Sequence, residues 1–300
     1  MKIKKYLAFV IAFVMLLSAT SAYAANLSGT SPSNVNMEDN NAFIETANPK
    51  TLPPISKEEE AFAALWQQVK QNGYMSVDEE GLIAINADAE KIADNGETYS
   101  YFMSIIDTAN YSINMGLIRM NQDTLQLENL AITEATLDRI AETETNALKM
   151  KSENDLLRSD PHECDNSKLN LGYLVYTNYN TIRDYYNDMI AVQRTNPDVD
   201  PWLTTVGYWV GHIKEGGPWD YKRKESGYGP WDKIYCCSYA NHTYQHRSAE
   251  FIGNYNYGFT GSILFNASQL RAGSYAAARF RSTDKQDWPA IDEGYYDANK

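Results

Sequence analysis

Cysteine is scarce in this chain, and basic side chains are outnumbered. Three cysteines, Cys164, Cys236 and Cys237, in 300 residues exclude a small scaffold held by a dense disulfide framework; a chain of this length buries a core large enough to do without one. Lys and Arg total 26 against 39 Asp and Glu, a formal charge of −13, which excludes a broad basic nucleic-acid footprint. Beyond the first two dozen residues no apolar run approaches the roughly 20 residues that a bilayer core requires, so stable membrane insertion is not expected.

What the N-terminus does contain is a basic opening (Lys2, Lys4, Lys5), an apolar centre from Tyr6 to Leu17, and a small-residue stretch ending at Ala22-x-Ala24. Those three parts compose a secretory signal peptide. Cleavage after Ala24 and a secreted, extracellular protein are the expectation. Residues 25–55 are rich in Asn, Ser, Thr and Pro, lack apolar periodicity, and read as a disordered leader.

Charge divides the rest. Residues 25–200 carry a formal −17, whereas residues 201–300 carry +1. Within 56–196 the spacing predicts an acidic helical module. Ser56 and Glu59 form a capping box before Phe62, Leu65, Trp66 and Val69 at helical intervals, and Gly73 closes the helix. Further helices are expected over about 98–120, 133–157 and 171–193, with one short strand at 81–86. Asn196 to Pro201 marks a boundary.

Residues 197–300 differ in kind, with 20 aromatic side chains in the last hundred positions, five of the six tryptophans and clustered glycines. Helices are expected over about 202–214 and 268–281, with a few short strands. The fold class is therefore mainly α with minor β (α+β): a helical N-terminal module followed by a compact aromatic-rich domain. For most single rings an ordinary packed core is the simpler reading; together with rigid loops they also furnish a recognition cleft.

Outside the cytoplasm the default for three cysteines is one disulfide, from Cys164 to Cys236 or to its neighbour Cys237, leaving one thiol over; Cys164 with Cys236 is the pairing carried forward. Adjacent cysteines do not match zinc-ligand spacing even with His242 and His246 nearby, and neither a metal nor a cofactor is called for. Gly217-Pro218-Trp219-Asp220 and Gly229-Pro230-Trp231-Asp232 each place a turn before an indole and a carboxylate, with Lys222 or Lys233 following. The stretch Glu250 to Gly261 interleaves Asn and Tyr between glycines and reads as a loop presenting amides and phenols. His242, His246 and Arg247 stand just upstream. A histidine near a carboxylate, an amide and a cation suits general acid–base work on a phosphodiester or a glycoside.

Gly216-Gly217-Pro218-Trp219-Asp220-Tyr221-Lys222, Gly253-Asn254-Tyr255-Asn256-Tyr257-Gly258, Ala272-Gly273 and Asp287-x-Pro289-x-Ile291-x-x-Gly294-x-Tyr296 together resemble the bacterial polymorphic toxin type 44 domain, over about residues 205–297. The resemblance implies a secreted antibacterial effector acting as a metal-free ribonuclease, with an immunity protein as partner. It marks Asp220, Lys222, Asn254 and Tyr257 as catalytic positions. To these the residues themselves add His246 and Glu250 as proton acceptors, and Trp219, Tyr221, Tyr255 and Arg247 as substrate contacts. The alternative is a peptidoglycan hydrolase using Asp220 and Glu250, which requires two carboxylates across one bond; a third is a non-enzymatic envelope-binding module. The substrate is then RNA or cell-wall glycan. All the chemistry depends on the first Trp turn meeting the Asn/Tyr stretch in one open pocket.

Overall fold

The computed structural model describes residues 54–150, 167–223, 227–277 and 286–300. The signal peptide, nearly all of the leader and Cys164 lie outside the described residues. Helices dominate, joined by three small sheets, which is the mainly α, minor β class.

Helix α1 (Lys57–Gln71) begins at the capping box: Ser56 Oγ accepts from the Glu59 N–H at 3.1 Å, and the Glu59 carboxylate accepts from the Ser56 N–H at 3.3 Å. Its stripe Phe62, Leu65, Trp66 and Val69 is buried, as the 3.6-residue period requires. Hairpin β1 (Met75–Val77) and β2 (Ile83–Ile85) follows, then the single turn α2 (Ala89–Ile92) and α3 (Gly96–Met115). Gly116, at φ 76°, closes α3 in the left-handed conformation that favours glycine. A second hairpin, β3 (Ile118–Asn121) and β4 (Gln126–Asn129), leads to α4 (Glu134–Met150). After β5 (Ser167–Leu169) comes the longest helix, α5 (Leu171–Thr195), then α6 (Pro201–Ile213), with Pro201 in its first turn and Asp200 accepting from the Leu203 N–H at 3.1 Å.

The last hundred residues add hairpin β6 (Ile234–Tyr239) and β7 (His242–Ser248), then α7 (Ala249–Gly261), α8 (Ala267–Ala277) and α9 (Trp288–Ala298). Strand β5 pairs parallel to β6, and β6 pairs antiparallel to β7. Asn196–Pro201 is a turn between packed helices. Residues on both sides of it belong to one hydrophobic cluster, from Phe62 and Trp66 through Ile182 and Met189 to Trp209, Tyr255 and Ile291.

Three expectations change. Where one short strand was expected within 56–196, the described residues hold five, β1 to β5, and β3 begins where a helix was expected to run to about 120. Helix α9 was not expected. The Asn/Tyr/Gly stretch is helix α7 rather than a loop. Ser248 caps it by accepting from the Phe251 N–H at 3.1 Å, and its glycines serve contact rather than flexibility. A Cβ at Gly258 would lie 2.0 Å from the carbonyl oxygen of Ile291 on α9, and a Cβ at Gly294 on α9 would lie 2.1 Å from that of Tyr255 on α7. The two backbones touch through the missing side chains. Tertiary contact of this kind outweighs glycine's low helix propensity of ~1 kcal/mol per residue.

Gly258→Ala or Gly294→Ala is therefore expected to cost about 2 kcal/mol or more through overpacking against backbone, read as a lowered midpoint in urea unfolding. Gly253→Ala meets only the flexible Lys222 side chain, at 3.4 Å, and is expected to be near neutral. Equal midpoints for all three would refute the crossing.

Candidate functional site

The first Trp turn and the Asn/Tyr stretch do meet. Lys222 lays its aliphatic stem over Gly253. Asn178, on α5, donates from Nδ2 to Tyr221 Oη at 2.7 Å and to Asn256 Oδ1 at 2.8 Å. The meeting place is core rather than open pocket. Trp219, Tyr221, Tyr255 and Asn256 are 6%, 3%, 1% and 0% exposed. Asn254 is buried too. Tyr257 donates to the Leu270 carbonyl at 3.1 Å and packs on Trp209. Burial pushes the Tyr221, Tyr255 and Tyr257 hydroxyls far above their usual pKa, so none of them ionises near neutrality.

Asp220 is also occupied: its carboxylate accepts from the Gly216 N–H at 3.0 Å and pairs with Arg223 at 2.9 Å, holding the turn shut. The two Trp-Asp turns diverge, Trp219 being packed against His212 with the rings tilted and Trp231 59% exposed. Glu250 sits part-exposed in the first turn of α7, its N–H donating to the Trp231 carbonyl. His246 is exposed on β7, opposite Cys236. Cys236 is disulfide-bonded and Cys237 is a buried free thiol, its pKa pushed up to about 12 by burial, against a smaller downward pull from Arg247.

A different set of residues gathers at the open end of the β6–β7 hairpin. The pairing shifts register between Cys237 and Tyr239 and gives β7 an extra residue, with Tyr244 at φ 56°. This bulge sets His242 opposite Tyr239 while Arg247 stands opposite Tyr235, so both fall on the face that carries Tyr235, Cys237 and Tyr239. Glu293, next to Gly294 on α9, completes the group. Tyr239 Oη donates to Glu293 Oε1 at 3.0 Å and accepts from Arg247 Nε at 2.7 Å. His242 Nε2 lies 3.5 Å from the same carboxylate oxygen, and an Arg247 guanidinium nitrogen 3.7 Å from it. Tyr239 is the buried floor, its hydroxyl pushed up to about 12 chiefly by burial. His242, Arg247 and Glu293 are 45%, 29% and 28% exposed. Arg247 also covers the Phe251 ring, 4.3 Å from its centroid. An imidazole, a carboxylate and a guanidinium thus face solvent around one phenol.

Arg247, a candidate from the sequence, falls in this cluster. Glu293 was not a candidate, since 46 positions separate it from Arg247, and the α7–α9 crossing brings them together. His242 was visible as a histidine near Arg247, but the bulge that turns it to that face leaves no sequence signal.

A second hollow, about 360 Å³ in volume, lies between α3, α4, α5 and α6, lined by Asp107, Tyr111, Glu144, Tyr185, Asp188 and Tyr208 among others. The Asp188 carboxyl is pushed up to about 6, first by burial and then by nearby Asp184, against the Thr108 hydroxyl that donates to it at 2.7 Å.

A carboxyl with a raised folded-state pKa contributes stability below its unfolded pKa, and that contribution is lost as pH rises through the folded value. Asp188→Asn retains an acceptor for Thr108 while removing the buried charge. It is expected to raise the thermal midpoint at pH 7.5 by a few degrees, on the order of 1 kcal/mol after allowing for solvent screening, and to match the native chain below about pH 4. A midpoint lowered at pH 7.5 would contradict this.

Compared with known proteins, the chain matches no family model, no curated protein and no solved structure, so its likeness to the toxin type 44 domain rests on the motifs alone.

Proposed function

We propose that the chain is an exported effector that cleaves RNA without a metal, with the reaction centred on His242, Glu293 and Arg247. The single observation that carries this reading is Tyr239 Oη bridging Arg247 and Glu293 while His242 stands 3.5 Å from the same carboxylate. A base, an acid and a phosphate-binding cation are thereby held in one accessible place, the minimum that phosphodiester cleavage by proton transfer needs. Glu293 accepts the proton of the ribose 2′-hydroxyl as O2′ attacks phosphorus. The P–O5′ bond breaks, and the imidazolium of His242 delivers a proton to the departing O5′. A 2′,3′-cyclic phosphate and a 5′-hydroxyl result. Arg247 holds the non-bridging oxygens as their charge grows, released to do so from its contact with Tyr239. The motif resemblance favours the same reaction class. The glycan alternative is weakened because Asp220 is paired with Arg223.

The N-terminal signal supports export, and an oxidising destination suits the bonded state of Cys236. We infer that this bond runs to Cys164. With Cys237 free, Cys164 is the remaining cysteine of the chain, and β5, which pairs with β6 at Lys168–Cys236, starts three residues after it. The unfolded, unreduced protein is expected to expose one thiol to a colorimetric thiol reagent and three after reduction; three before reduction would refute the bond.

The full chain, incubated with RNA, DNA and peptidoglycan, is expected to shorten RNA alone, DNA lacking the attacking hydroxyl. Glu293→Gln and His242→Ala are each expected to slow cleavage about 100-fold or more, while Glu250→Gln leaves the rate within a few-fold. Peptidoglycan cleavage with intact RNA would transfer the protein to the glycan class. Binding to envelope polymers without cleavage of any substrate would make it a non-enzymatic binding module.

A further inference from the structure

The hollow between α3, α4, α5 and α6 takes no part in that reaction, and its chemistry differs. Its walls are aromatic: Tyr185 stacks on Tyr208 with centroids 4.1 Å apart, and Tyr111 meets Tyr208 edge-on at 5.6 Å. Its lining includes three carboxylates, Asp107, Glu144 and Asp188, and no Lys or Arg. Two of the three are held in place by neutral donors. Tyr111 Oη donates to Glu144 Oε1 at 2.7 Å, and Thr108 Oγ1 to Asp188 Oδ2 at 2.7 Å. On the core side, His212 Nε2 lies 3.6 Å from Glu144 Oε2, and its Nδ1 is 2.9 Å from the Tyr208 carbonyl oxygen.

Tyr208 supplies an independent observation. It is only 7% exposed and lines the hollow, and its hydroxyl makes no hydrogen bond to any described residue while keeping access to solvent. A hydroxyl with no protein partner on the wall of a hollow is available to a ligand. The walls and the charge define that ligand. Anions are repelled by three carboxylates. A neutral ligand leaves the charge of part-buried Asp188 uncompensated. Among the described residues no three His, Cys, Asp or Glu come together as a metal-binding group. An organic cation with an apolar stem satisfies all parts: its N–H groups reach Asp188, Glu144 and the Tyr208 oxygen, and its charge and methylenes lie against tyrosine faces.

We propose that this hollow is a binding site for an alkylammonium or guanidinium group, supplied by a free polyamine or by a lysine or arginine side chain of a basic polypeptide. The site is separate from the proposed nuclease centre, and the two stand or fall independently.

Isothermal titration of the full chain at 0.15 M salt tests it, with putrescine and spermidine as free amines and a capped Lys-Ala-Arg peptide as the polypeptide arm. Saturable one-to-one binding is expected. Asp188→Asn and Glu144→Gln are each expected to weaken it about tenfold or more, and Tyr208→Phe several-fold, whereas Asp123→Asn, on an exposed turn away from the hollow, leaves it unchanged. Circular dichroism establishes that each variant is folded. Binding by amines supports a small-molecule occupant, and binding by the peptide alone supports a basic partner chain. No saturable binding by either, or equal affinity in the native chain and the Asp188→Asn, Glu144→Gln double variant, overturns the proposal.

Discussion

The α7–α9 crossing is the constraint on which the C-terminal architecture depends. Gly258 and Gly294 let two helix backbones approach until each fills the space where the other's Cβ would stand. That closeness has a chemical consequence, because Glu293 is the residue beside Gly294. Helix α7 continues directly from β7, so holding α9 against α7 also places Glu293 against the hairpin that carries His242 and Arg247. Interiors pack at crystal-like density and do not yield locally. A displacement of the crossing by the width of a methyl group therefore moves the carboxylate relative to the imidazole, and the packing and the proposed chemistry are coupled through one contact.

A second tie joins the two halves of the chain. Asn178, on the acidic side of the Asn196–Pro201 turn, donates to both Tyr221 and Asn256 inside the aromatic region. Buried amides are costly unless satisfied, so this pair of bonds specifies how α5 sits on α7 and on the first Trp turn. The motif residues that look chemical in sequence are thereby given another task. Tyr221, Tyr255, Tyr257 and Asn256 are recognition groups turned inward, where they recognise their own fold.

Charge is distributed to match. The acidic excess belongs to the helices before residue 200, and part of it borders the tyrosine-lined hollow, where burial raises the Asp188 carboxyl. The hairpin end is closer to balance, with Arg247 and His242 against Glu293. A chain with a formal charge of −13 repels a phosphate backbone at long range, so the proposed reaction on RNA depends on short-range contacts at this one end.

The amino-acid sequence by itself determined the positions of α1, α3, α4, α5, α6 and α8 and the capping box and core stripe of α1, because periodicity and capping are local: Ser56 needs only Glu59, and Phe62 to Val69 need only the 3.6-residue repeat. It also carried the helical class, the charge division and the meeting of the first Trp turn with the 250–261 stretch. Tertiary structure alone decided that this stretch is a helix, since what keeps Gly253, Gly258 and Gly261 helical is packing against Lys222, Ile291, Trp209 and Leu270, residues distant along the chain. It alone decided which polar groups face solvent, turning Asp220 and Tyr257 to internal partners and exposing His242 through a one-residue bulge. Proximity across 46 residues, as between Arg247 and Glu293, follows from how helices cross, and no local pattern encodes it.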